Sequence, residues 1–95
     1  MTDPITTPAL TAEQRGLARH ALGLPNKRKQ SYRNYFVTGE GSTDHPHWVA
    51  MAEAGFARRR KALRIYGGDD LFRLTKEGAT AALDKGERLD PEDFA

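Results

Sequence analysis

Lys27, Arg28, Lys29 and Arg33 alternate with Tyr32 and Tyr35, and Arg58, Arg59, Arg60, Lys61 and Arg64 form a second cationic run further along the chain. Guanidinium and ammonium groups pair with phosphates, while tyrosine rings stack on bases or pack on sugars, so this mixture suits a nucleic acid. The same side chains also serve a merely solvated face with its tyrosines partly in the core. The two readings part on whether the charges converge in space. In a strand, alternate side chains emerge on opposite faces, so Arg58 and Arg60 share one side and Arg59 and Lys61 the other. One of these pairs is expected to border the core and cover apolar surface with its stems.

Other constellations are weaker. Tyr66-Gly67-Gly68-Asp69-Asp70 places two aspartates at a turn, as in a polymerase palm hairpin that holds magnesium. Such a site needs a further acidic strand and a larger chain, so the segment is read as turn chemistry. Asp44-His45-Pro46-His47 offers imidazole and carboxylate but no second ligand group at a metal-site spacing, and it reads as the start of a helix with exposed histidines. Ser31 and Ser42 sit in no nucleophile elbow, and Gly39-Glu40-Gly41-Ser42 lacks the lysine of a phosphate loop. The expectation is a chain without catalytic residues, metal or cofactor.

The elements that must carry the cationic runs follow from composition and pattern. The chain has 95 residues, enough for one domain, and only 38% are apolar or aromatic, so a single modest core is expected. It has no cysteine and no run of about 18 apolar residues, which points away from disulfide scaffolds and membrane spans and towards the cytoplasm. The net charge of +2 hides an asymmetry: Arg15 to Arg64 carries +8, whereas Ile65 to Ala95 carries -4 and Met1 to Gln14 carries -2. A basic body of this kind suits an anionic partner.

Met1 to Leu10 reads as a flexible arm. Thr11-Ala12-Glu13-Gln14 fits a capping box and opens a helix over Ala12 to Leu22, with Leu17, Ala18, Ala21 and Leu22 as its buried stripe and Gly23 as its stop. A loop then enters a short strand over Tyr32 to Val37. A second helix runs from Asp44 to about Ala54, ended by Gly55, with Phe56 folding back on Met51 and Trp48 in the core. Two strands, Ala57 to Lys61 and Leu71 to Thr75, flank a turn at Gly67-Gly68. Thr75 caps a third helix through Asp84, with Ala79, Ala82 and Leu83 inside. Residues 11–86 thus form one α+β domain of three helices, a β-hairpin and one additional short strand, followed by an acidic tail over 87–95 in which Phe94 is the only aromatic.

The helix containing Trp48, the step Gly55-Phe56, the basic strand and the segment Leu74-Thr75-Lys76-Glu77-Gly78 together resemble the second half of winged-helix regulators of the multiple-antibiotic-resistance type. That resemblance implies a small winged-helix-like domain in which Trp48 to Ala54 corresponds to the recognition helix and Arg58 to Gly68 to the wing along the phosphate backbone. The chain departs from the family in that Gly23 to Ser42 reads as loop and strand where the family has another helix before the recognition helix, and in presenting Val, Ala, Met and Glu where base-reading side chains are wanted. Taken whole, with its Leu-Pro-Asn-Lys-Arg loop and Tyr-Arg-Asn-Tyr-Phe strand, the chain also resembles small proteins encoded by bacteriophages and prophages. The functional expectation is a DNA-binding module contacting duplex DNA through Lys27, Arg28, Lys29, Tyr32, Arg33, Tyr35, Arg58, Arg59, Arg60 and Arg64. The alternative is a phage-encoded inhibitor that uses arginine and tyrosine anchors to dock on a host nucleoprotein or defence complex.

Overall fold

The computed structural model describes residues 9–94; the expected arm lies outside the described residues except for its last two positions. Helix α1, Ala12–Leu22, opens on the reciprocal cap that the sequence spacing predicts. Gln14 N–H donates to Thr11 Oγ1 at 3.1 Å, and Thr11 N–H donates to Gln14 Oε1 at 3.0 Å. Ala18, Ala21 and Leu22 are buried and Leu17 is half-buried, but Arg19 is buried with them, a position that helical spacing alone left on the solvent side.

Strand β1, Phe36–Thr38, is shorter than the run of β-favouring residues before it. The reason is visible in the backbone: the N–H groups of Ser31, Tyr32 and Tyr35 donate to the Arg88, Leu22 and Ala21 carbonyls, so these donors are committed away from β3. Helix α2, His45–Glu53, starts with proline in its first turn. It ends as expected: Gly55 takes φ 88°, and the Phe56 N–H returns to the Met51 carbonyl at 2.8 Å.

Strands β2, Ala57–Arg60, and β3, Asp70–Leu74, form the hairpin, whose connection carries a 3-10 turn at Arg64–Tyr66. Helix α3, Lys76–Ala81, begins where Thr75 Oγ1 accepts the Gly78 N–H at 3.2 Å. It stops short of the predicted Asp84, because the chain there turns to bring Glu87 back towards α1.

All strand pairs are antiparallel in the order β1-β3-β2, with Phe36 and Arg59 both opposite Phe72, and Ala57 opposite Leu74. The face bearing Phe36, Phe72, Ala57 and Leu74 meets the three helices. Trp48 is fully buried there, its ring 5.5 Å from Phe72 and 5.1 Å from Phe36 between centroids. The helix α3 can approach closely because position 78 is glycine: a Cβ there would collide with the Phe56 backbone carbonyl. Thr75 fixes the same junction, its N–H donating to the Phe56 carbonyl at 3.0 Å and its hydroxyl to the Gly55 carbonyl at 2.8 Å. This gives the Leu-Thr-x-x-Gly segment a packing reason. The molecule is therefore an α+β domain of three helices on one face of a three-stranded antiparallel sheet.

The segment after Gly86 is part of that domain. Arg19 and Glu87 pair in a fork, Nη1 to Oε1 at 2.5 Å and Nη2 to Oε2 at 2.8 Å, and Arg19 also donates to the Ala82 carbonyl at 2.9 Å. Gln30 and Arg88 form a parallel bridge, the Asp90 N–H donates to Ser31 Oγ at 2.8 Å, and Phe94 packs against the core. No helix among the described residues is long and apolar enough to cross a membrane.

Candidate nucleic-acid interface

The sheet face turned away from the helices carries Arg58 and Arg60 of β2, Arg73 and Leu71 of β3, and Val37 of β1. Register puts Arg58 directly opposite Arg73, and puts Arg60 and Val37 on either side of Leu71. The three arginines surround Leu71, which is only 5% exposed. Among the described residues, no carboxylate pairs with any of the three. Like charges directly across a strand pair oppose folding, so this face holds unneutralised cationic repulsion.

Tyr35 lies just before β1, next to this face. The Asn34 side-chain amide accepts the Leu74 N–H at 2.9 Å and donates to the Leu74 carbonyl at 3.0 Å, and Phe36 is paired with Phe72. Tyr35 is thus held between two positions tied to β3 on either side of Arg73, outside the paired register, while Phe36 turns into the core against Trp48. Tyr35 is 47% exposed, and it borders a depression of about 290 Å³ walled by His20, Arg33, Phe36 and Val37.

The second cationic run is thus split by the strand, as alternation predicts. Arg59 faces the core side: its Nε donates to Asp70 Oδ2 at 2.9 Å, and its guanidinium lies 5.9 Å from the Phe72 centroid. It is already neutralised, so it does not join Arg58 and Arg60 as the sequence reading grouped it. Asp70 also accepts from His45 Nε2 at 2.8 Å and from the Ala62 N–H at 2.7 Å. The His45 bond first, then the Ala62 bond and Arg59, hold the Asp70 carboxyl at about 2 in spite of its burial. His45 is buried in this knot, not exposed at a helix start as expected, and it ties the beginning of α2 to the base of the hairpin. Lys61 and Arg64 remain exposed in the hairpin connection.

The first run is divided as well. Arg33 donates from Nε and Nη2 to the His20 carbonyl at 3.2 and 2.7 Å, capping the negative end of α1, and its guanidinium lies 5.3 Å from the Tyr32 ring. Tyr32 itself lies against Gly23. Lys27, Arg28 and Lys29 are exposed in the turn after α1, where the Arg88 N–H donates to the Lys29 carbonyl, and Lys27 and Arg28 share a polar cleft with Asp90. So folding leaves Tyr35 exposed at the start of β1, next to the sheet that carries Arg58 and Arg73, and leaves the three-residue basic turn beside the carboxy-terminal segment.

Two features escaped the sequence reading. Arg73 belongs to neither cationic run of the sequence; its place opposite Arg58 follows from register, for which a single chain gives no local signal. Ile65, 82% exposed at the hairpin tip between Arg64 and Tyr66, has no periodicity that would mark it. Among the described residues, no group of three or more histidine, cysteine, aspartate or glutamate side chains is placed to hold a metal ion. Comparison with known proteins gives no matching family model, no matching curated protein and no matching solved structure.

Proposed function

We propose that this chain is a non-catalytic nucleic-acid-binding module that contacts phosphates through the outer face and tip of its β2–β3 hairpin. The observation that carries the reading is the set of three arginines, Arg58, Arg60 and Arg73, gathered on one face with no carboxylate paired to them. Lys61 and Arg64 extend that charge into the hairpin connection. The architecture is read as winged-helix-like. The element order α1-β1-α2-β2-β3 and the strand order β1-β3-β2 support that plan, with β2 and β3 as the wing and with the helix that would precede α2 replaced by the turn from Gly39 to Asp44.

Five hairpin cations that each meet a phosphate give a log-log salt slope of about -4.5 on duplex DNA, or about -3.5 on a single strand. Fluorescence anisotropy with a labelled oligonucleotide over a range of salt concentrations measures it. Absence of binding at low salt, or a slope near zero, would overturn the reading. A second reading, docking on a protein, is favoured by Ile65, because an aliphatic side chain that is 82% exposed on a hydrogen-bonded turn is a natural anchor for an apolar pocket. Under that reading Ile65→Asp abolishes partner binding and Arg73→Gln leaves it intact; the nucleic-acid reading requires the reverse.

A further inference from the structure

We infer that the ligand of the arginine face is a single strand, with one unpaired base seated against Tyr35 in the depression beside β1; this rests on the nucleic-acid reading above. The argument begins with what each form of nucleic acid exposes. In a duplex the faces of the bases are covered by their neighbours, so a protein meets phosphates, sugars and base edges. A single strand also offers the flat faces of its bases, and aromatic side chains next to cations are the surfaces that take them.

Here the two surfaces adjoin. Tyr35 sits between Asn34, whose side chain is bonded to Leu74, and Phe36, which pairs with Phe72, so it is held near β3 on either side of Arg73; it also borders the depression of about 290 Å³. Arg58 and Arg60 are two residues apart on one strand, a separation of roughly 6.6 Å, which is of the order of the step between neighbouring phosphates on an extended strand. A backbone running along the β2–β3 pair would therefore meet successive guanidinium groups, and its next base would arrive at Tyr35. The depression also supplies polar edges. Arg33 spends Nε and Nη2 on the His20 carbonyl and keeps Nη1 free of a hydrogen bond among the described residues, while the His20 ring meets Phe36 edge-on and remains exposed. Both can hydrogen-bond a base that is stacked on the tyrosine.

Nothing comparable favours a duplex. Helix α2, the element that would enter a major groove, buries Trp48 and Met51 and turns Pro46, Ala50 and Glu53 to solvent, none of which donates to a base edge or a phosphate; its ring donor His47 is half-buried in a depression shared with Glu13 and Asp44.

The test uses the full chain with three labelled probes of equal phosphate number: an oligothymidylate of about a dozen nucleotides, the same strand with abasic sites, and a duplex. Expected is oligothymidylate binding at least roughly tenfold tighter than the duplex, with the abasic strand losing that advantage. Tyr35→Ala should lower oligothymidylate affinity roughly tenfold, leave duplex and abasic binding unchanged, and be rescued by Tyr35→Phe. Duplex binding as tight as oligothymidylate binding, or an abasic strand that binds as well as the intact one, overturns the single-strand inference and leaves the phosphate reading standing. Failure of all three probes to bind at low salt overturns both. Loss of duplex binding in Tyr35→Ala also counts against the inference, because it assigns the ring a structural role.

Discussion

Arg73→Glu separates a face kept for binding from one kept for packing. In the native chain Arg73 stands opposite Arg58, with Arg60 on the same face and no carboxylate paired to any of them. With guanidinium groups roughly 6 Å apart in water, the repulsion is on the order of 0.7 kcal/mol, and a glutamate at position 73 turns it into an attraction of similar size. The swing is about 1.4 kcal/mol, and ordering two long side chains leaves about 1 kcal/mol of net stabilisation. For a domain of this size that raises the melting temperature by about 4–8 °C. Calorimetry at low salt should show the rise, and the gap between variant and native chain should shrink at high salt as the charges are screened. The same variant should bind oligonucleotide far more weakly and with a salt slope shallower by roughly one contact. A variant that is less stable than the native chain, or one that is more stable but binds equally well, would refute the reasoning. The first result would mean that the Arg73 stem is needed over Leu71, the second that the face has no anionic partner.

Three further outcomes follow from the packing. Gly78→Ala should destabilise the domain by about 1–3 kcal/mol, since the added methyl meets the Phe56 carbonyl and backbone must move; chemical denaturation measures it, and a change under about 0.5 kcal/mol would remove the close-approach explanation. The carboxyls of Asp70 and Glu87 both sit at about 2, the first held down chiefly by His45 and the second chiefly by Arg19. Because these folded values lie below the unfolded ones, the stability they contribute is present above about pH 4.5 and is lost as pH falls through about 2, amounting to about 2–3 kcal/mol for each group. Urea unfolding at a series of pH values should show that loss, and Asp70→Asn should remove the Asp70 share; flat stability across the interval would contradict the assignment. Arg19→Met should cost about 3–5 kcal/mol by leaving Glu87 unpaired in its buried place, and hydrogen exchange at the Ser31 and Arg88 amides should accelerate. Unchanged protection there would mean that the carboxy-terminal segment is held by other contacts.

What could be read from the sequence was local. The capping box at Thr11 and Gln14, the glycine stop at Gly55 with Phe56 returning to Met51, and the Thr75 cap each depend on residues within five positions of one another, and each is present. The alternation of β2 separated Arg58 and Arg60 from Arg59 correctly. The contacts that shape the candidate site are of another kind. Asp70 is 25 residues from His45, and Glu87 is 68 from Arg19. Seen alone, Asp69-Asp70 after two glycines is turn chemistry and Glu87 is one of several acids in a row; only the fold shows that each completes a buried pair. The segment 87–94 lacks hydrophobic periodicity for the same reason, since what docks it is the Arg19–Glu87 pair, the Gln30–Arg88 bridge, the Asp90 N–H on Ser31 and the side chains of Leu89 and Phe94.

These long-range ties also bear on where binding can occur. Helix α2 is fixed at its first residue by His45 to Asp70, just before it by Asp44, whose carboxylate accepts the Thr38 hydroxyl at 2.6 Å, and along its length by Trp48 between two phenylalanines. A helix anchored this way sets the position of the hairpin, and its exposed side chains are Pro46, Ala50 and Glu53. Asp70 also removes Arg59 from the cationic set while leaving its neighbours untouched, so the unpaired arginines of β2 are Arg58 and Arg60, on the face opposite the helices. If the hairpin is the contact proposed above, helix α2 serves as its support, and the chain then has no need of arginine, asparagine or glutamine at the solvent-facing positions 46, 50 and 53, where it carries proline, alanine and glutamate.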